Sequence, residues 1–120
     1  MSEKQALYKI SEELISKAAV AATLAVPGVN RMSDSLADNI TKKIAGKETF
    51  PKGIRISKNH DVLTIDIFII ADYGIKIPQL AWDIQNSVKK SVDETTDYAI
   101  NAINIHIDGV SLSKKFRSDL

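Results

Sequence analysis

The sequence predicts an α+β domain of two layers, a three-stranded mixed sheet with the helices mainly on one face. Two observations carry that expectation. Apolar residues recur at helical spacing through "ISEELISKAAVAATLAV" and "IPQLAWDIQNSV", and at a spacing of two through "GIRIS", "VLTIDIFII" and "AINIHID". These segments follow one another as helix, short helix, strand, strand, helix, strand. A sheet with helices on one face is the simplest way for that order to bury both kinds of apolar surface.

The first helix is expected to start at Ser11, with Glu12 and Glu13 in its first turn and Ile10 stapled onto Ile15, and to end at Pro27-Gly28. Leu14, Ala18, Ala21, Ala22 and Ala25 form its inner stripe by spacing, and so many alanines imply close approach to a neighbour. The upstream "LYKI" could form a brief strand. A second, shorter helix is read over "SDSLADNITKKIAGK", with Leu36, Ile40 and Ile44 one turn apart and Gly46 suited to its end. A hairpin follows, with its turn at "KNHD". Ile54, Ile56, Leu63, Ile65, Ile67 and Ile69 face one way, and Arg55, Ser57, Thr64, Asp66 and Phe68 the other.

Pro78 suits the first position of the long third helix, whose stripe is Ile77, Leu80, Ala81, Ile84, Val88 and Val92 and whose end is expected near Asp97. In the last strand Ile103, Ile105 and Ile107 point inward, with Asn104, His106 and Asp108 outward. The crossover through the long helix makes the second and third predicted strands parallel, and the first hairpin strand is placed between them. Residues 1–120 form one domain, with its core at about residues 8–110 and a flexible tail at 111–120.

Bulk properties narrow the function. Sixteen basic against fifteen acidic residues leave a net charge of +1, so no global field draws the chain to nucleic acid or an anionic membrane. The absence of cysteine removes disulfides, thiolate metal sites and a thiol nucleophile. No segment has signal-peptide character, and "AAVAATLAVPGV" is too short to span a bilayer. A cytoplasmic protein, membrane-proximal only through a partner, is the expectation.

The ordered set "ISEELISKAAVAATLAVPGV", "KGIRI", "LTIDIFIIADYGIKIPQLAWDIQNSV" and "INIHIDGV" resembles the alkaline shock protein family, which includes the glucose-starvation general stress proteins of Gram-positive bacteria. The resemblance runs from about Ile10 to Val110. It implies a role in the cell envelope, with some members held at the membrane by a membrane-anchored partner and others linked to lipid metabolism, and it brings no catalytic residues. The chain departs from the family in carrying Trp82 where a polar residue is more usual, and in lacking the long charged extensions of the stress-induced members.

Candidate chemistry is sparse. Asp66, His106, Ser57 and Thr64 share the outer sheet face, but no nucleophile elbow accompanies them, and two histidines without cysteine make a poor metal set. Catalytic, cofactor and metal residues are therefore expected to be none. "GKETFPKG" lacks the lysine and hydroxyl of a phosphate loop. Lys47, Lys52, Arg55 and Lys58, and Lys114, Lys115 and Arg117 around Phe116, keep a small RNA-binding domain as the alternative class, although a clamp loop and paired stacking aromatics are missing. A regulator of lipid metabolism is a further alternative.

Trp82 falls outside the stripe of its helix, on a flank with Gln85, Asn86 and Lys89. It is either a lid over a neighbouring loop or the anchor of an interface, for which tryptophan is well suited. Phe68 and Ile70, apolar on the outer side of a strand, strengthen the interface reading. The partner-binding candidates are Trp82, Gln85, Lys89 and Phe68, and the expected partners are a second copy of the chain or a membrane-anchored protein. Tyr73 and Gly74 are expected to shape the turn into the long helix.

Overall fold

A computed structural model of the chain describes residues 3–34 and 51–113, with side chains described from residue 12 onward. The elements are α1 (Glu3–Leu24), β1 (Val29–Met32), β2 (Ile54–Asn59), β3 (Val62–Asp72), α2 (Ile77–Thr95) and β4 (Ala99–Ser111). The fold is α+β as expected, but the sheet has four strands, because "VNRM" forms β1 where the sequence reading saw only a connection. The short helix predicted over "SDSLADNITKKIAGK" falls almost wholly outside the described residues, as does the tail from Lys114.

β3 occupies the middle of the sheet, correcting the expectation that β2 does. β4 runs parallel along one edge of β3, from Val62↔Ala99 to Asp72↔Ser111. β2 lies antiparallel against residues 62–67 of β3, and β1 antiparallel against residues 69–71. β1 and β2 therefore share the second edge end to end. Their junction is at Phe68, whose carbonyl accepts from the Ser33 N–H at 2.8 Å and whose N–H donates to the Gly53 carbonyl at 2.8 Å. A Lys52–Asp34 ion pair of 2.7 Å links the residues that follow β1 to those that precede β2 there. Gly53 has φ +80, and a Cβ would lie 2.9 Å from the Phe68 carbonyl oxygen, so this junction needs glycine.

The reason for a central β3 is its composition. Leu63, Ile65, Ile67, Ile69 and Ala71 are all fully buried on the inner face, and β-branched residues suit a strand paired on both sides. Ile54, Val29 and Met32 extend that face across the second edge, while Ile103, Ile105 and Ile107 of β4 pack at its rim. From above, α2 contributes Leu80, Ile84, Val88 and Val92, the stripe its sequence predicts.

α1 differs from its prediction in two ways. It begins at Glu3, so Ser11 lies inside it and "LYKI" is helical. "EKQALYKI" contains strong helix formers and neither Gly nor Pro, so nothing halts the helix before Ser11. Its buried stripe is Ile15, Ala19 and Thr23, continued just past its end by Val26, and is turned one residue from the predicted set, so that Leu14 is exposed. Ala18 and Ala22 instead lie where α2 approaches: Ser87 donates to the Ala22 carbonyl at 3.0 Å and Ser91 to the Ala18 carbonyl at 3.3 Å. Ala18 and Ala22 do mark a close approach, on the α2 side, whereas Ala21 and Ala25, also placed on the inner stripe by spacing, are exposed.

Ile67 sits at the centre of β3 with no solvent exposure. Ile67→Ala is expected to cost about 2–5 kcal/mol of folding stability through lost burial and a cavity. Ile70, on the outer face of the same strand, should lose far less on the same change. Denaturant midpoints of the two variants measure the difference.

Candidate functional site

β4 separates two patches that hold the candidate residues. On its outer-face side, the pairing Phe68↔His106 sets two rings next to each other, and they stack with centroids 4.2 Å apart and planes 8° from parallel. The Arg55 guanidinium carbon lies 5.6 Å from the Phe68 centroid, reaching from β2. His106 Nε2 is 3.0 Å from Asp66 Oδ1, and Asn104 Nδ2 donates to the same oxygen at 3.1 Å. The outer face thus carries one connected row, Arg55, Phe68, His106, Asp66 and Asn104, supplied by three strands.

Burial works to raise the Asp66 carboxyl, but hydrogen bonds from His106 and Asn104, with the charges of His106 and Arg55, together hold it below the ordinary carboxylate value. Among the described residues His106 hydrogen-bonds Asp66 and no hydroxyl. Thr64 Oγ1 instead accepts from Asn101 Nδ2 at 3.4 Å. No group of three or more metal-ligating side chains occurs among the described residues.

The second patch is the flank of α2 beside β4. Gln85 Nε2 donates to the Ile103 carbonyl at 2.9 Å, tying helix to strand. Trp82, one turn earlier, is 60% exposed. Lys89, one turn later, is paired with Asp93 at 2.8 Å across exposed helix surface, a contact of small energetic weight. Of the four sequence candidates, the structure brings Trp82, Gln85 and Lys89 together and places Phe68 on the other side of β4. Tyr73 and Gly74 shape the β3–α2 turn, where Gly74 has φ +87.

The basic residues of the RNA alternative are largely engaged. Lys52 pairs with Asp34, Arg55 lies against Phe68, and Lys58 sits 5.0 Å from the Tyr98 ring centroid and 4.0 Å from Asp61. Lys47 and the basic tail lie outside the described residues. What sequence reading missed is adjacency: Arg55 and His106 flank Phe68 because of strand register. The same holds for the outer edge of β4, whose one sequence signal is that "AINAINIHIDGVS" contains neither Lys nor Pro, the usual guards of an edge strand.

The pattern that defines the alkaline shock protein 23 family, described by a cell envelope-related function, matches residues 1–112. This chain belongs to that family. It is similar to the uncharacterized protein YqhY of Bacillus subtilis, 31% identical over 107 residues that cover 89% of this chain and 78% of that protein. YloU of the same organism, also named as uncharacterized, is 32% identical over 106 residues, covering 87% and 88% of the two chains. A stress response regulator gls24 homolog of Streptococcus pyogenes is 19% identical over 108 residues, 90% of this chain and 60% of that one. No solved structure matches the chain. The resemblance to alkaline shock and general stress proteins is therefore upheld at the level of the family, and with it an envelope-related setting.

Asp66 yields a pH prediction. A carboxyl held low in the folded chain contributes stability that is fully present above its ordinary value of 3.8 and is lost as pH falls through its lower folded value. Asp66→Asn should therefore cost on the order of 1 kcal/mol at neutral pH and flatten the loss of stability below about pH 4. Denaturant midpoints across that range check both parts.

Proposed function

We propose that the chain is a non-enzymatic interaction module of cell-envelope homeostasis, acting in the cytoplasm by association with itself or with a membrane-anchored protein. The observation that carries the reading is Trp82, a large aromatic side chain held out on the α2 flank beside a strand edge that no described residue pairs. An exposed indole of this kind is costly to leave in water and is typical of the energetic centre of an interface. Family membership supplies the envelope setting. Indirect membrane association fits the helices, none of which, among the described residues, is long and apolar enough to cross a membrane. For His106 and Asp66 the reading assigns a structural role, since Asp66 takes two hydrogen bonds on one oxygen and orients the ring that stacks on Phe68.

One observation favours a second reading. The Arg55, Phe68 and His106 row stands on an open sheet face, and sheets that bind single-stranded RNA present rings in that way. A salt-dependent gel shift with single-stranded RNA, lost in Phe68→Ala, would put this reading ahead of the first.

The test of the first reading is Trp82→Ala. Folding stability is expected to change by no more than about 0.5 kcal/mol, as at other surface positions. Association with itself or with the membrane fraction of the native host should weaken by about 2 kcal/mol or more, the scale of an interface anchor. Sedimentation mass and recovery in membrane fractions measure it. A concentration-independent stability loss of about 3–5 kcal/mol with association unchanged would make Trp82 a packing residue and remove the support for the reading. Purified protein should also fail to float with neutral or anionic vesicles, and strong flotation without a partner would overturn indirect association.

A further inference from the structure

The far edge of β4 favours a second copy of the chain as the partner. This inference rests on the self-association arm of the proposed function. The hydrogen-bond phase of the sheet shows which groups the edge offers. Phe68 directs its N–H and carbonyl toward β1 and β2, so the neighbouring odd residues of β3 direct theirs toward β4. In the parallel ladder Ile65 pairs with Ile103 and therefore bonds to Ala102 and Asn104. Ile103, and with it Ile105 and Ile107, turn their backbone groups away from β3. The Gln85 bond to the Ile103 carbonyl agrees with this assignment.

Three features make this edge unlike the opposite one. β4 has 13 residues with neither Lys nor Pro, whereas β2 has 6 residues including Arg55 and Lys58. Its middle is symmetric in pattern, Ile103-Asn104-Ile105-His106-Ile107, with Ile105, whose backbone groups face the open edge, at the centre. An antiparallel mate related by a two-fold axis at Ile105 places Ile103 opposite the mate's Ile107 in a hydrogen-bonded pair. Asn104 then falls opposite the mate's His106, and no two like charges meet. An isologous contact needs such a self-complementary strand.

The helix layer points to the same axis. α2 returns from the end of β3 to the start of β4, so it runs opposite to β4. Gln85 lies over Ile103, and Trp82 stands three residues earlier, about 4.5 Å along the helix. That distance corresponds to between one and two residues of strand at about 3.3 Å each. Trp82 is thus level with Asn104 and Ile105. We propose that two copies join by antiparallel pairing of their β4 edges about a two-fold axis at Ile105, forming one continuous sheet, with Trp82 of each copy packed at that axis. Gln85 occupies one carbonyl of the edge in the separate chain, and a carbonyl oxygen can accept a second donor when the mate arrives.

The natural chain has no cysteine, which makes a register test clean. Asn104 and the mate's His106 form a non-hydrogen-bonded pair with Cα atoms about 4.5 Å apart, within disulfide reach. Full-length Asn104→Cys/His106→Cys is expected to oxidise to a covalent dimer with native circular dichroism. Asn104→Cys alone should not, because its own symmetry mate is about 7–8 Å away. Sedimentation of the wild-type chain should show a concentration-dependent dimer, and Trp82→Lys should weaken it at least tenfold while the denaturant midpoint of the monomer holds. Wild-type self-association without the crosslink and unaffected by Trp82→Lys overturns this interface and leaves the self-association reading standing. A wild-type chain that stays monomeric at every concentration overturns both.

Discussion

The structure depends on β3 being a strand with no free edge. Its 11 residues pair with β4 along one side and with β2 and β1 in succession along the other. Its alternate side chains, Leu63 to Ala71, are the floor on which both helices rest. A fully paired strand satisfies every backbone group at the centre of the domain, so the inner face can be entirely apolar. Phe68, the residue where β1 ends and β2 begins, is held by both backbone groups, and its ring is consequently placed with little freedom on the outer face.

That arrangement leaves the outer strands with different fates. The β2 edge is short and carries cationic side chains, which suits a strand meant to stay solvated. The β4 edge is long and nearly uncharged, and its inward isoleucines are only partly covered. The helix above it supplies one polar tie, Gln85, and one exposed aromatic, Trp82. The surface around β4 is the one on which the proposed association rests.

The row on the outer face has a different logic. Arg55, Phe68, His106, Asp66 and Asn104 satisfy one another through stacking and hydrogen bonds. The His106 ring stacks on Phe68 and the Asp66 carboxylate accepts from two donors, so side chains of β2, β3 and β4 meet in one row on the outer face.

Sequence alone determined the two long helices and three of the four strands, the stripe of α2, the inward isoleucines of the three predicted strands and the parallel crossover, because each follows from local periodicity or chain connectivity. It also placed Trp82, Gln85 and Lys89 on one flank of α2, since helical geometry is local. Only the tertiary structure decided that β3 is central, that "VNRM" is a strand, and that the α1 stripe is Ile15, Ala19 and Thr23. The rows Leu14-Ala18-Ala22 and Ile15-Ala19-Thr23 are equally periodic, and only packing separates them: the second faces the core, while α2 approaches the first through Ser87 and Ser91. Strand order and the Phe68–His106 contact depend on pairing between residues far apart along the chain, which no local pattern encodes. The same cause hid the β4 edge: whether a strand has one neighbour or two is a property of the assembled sheet.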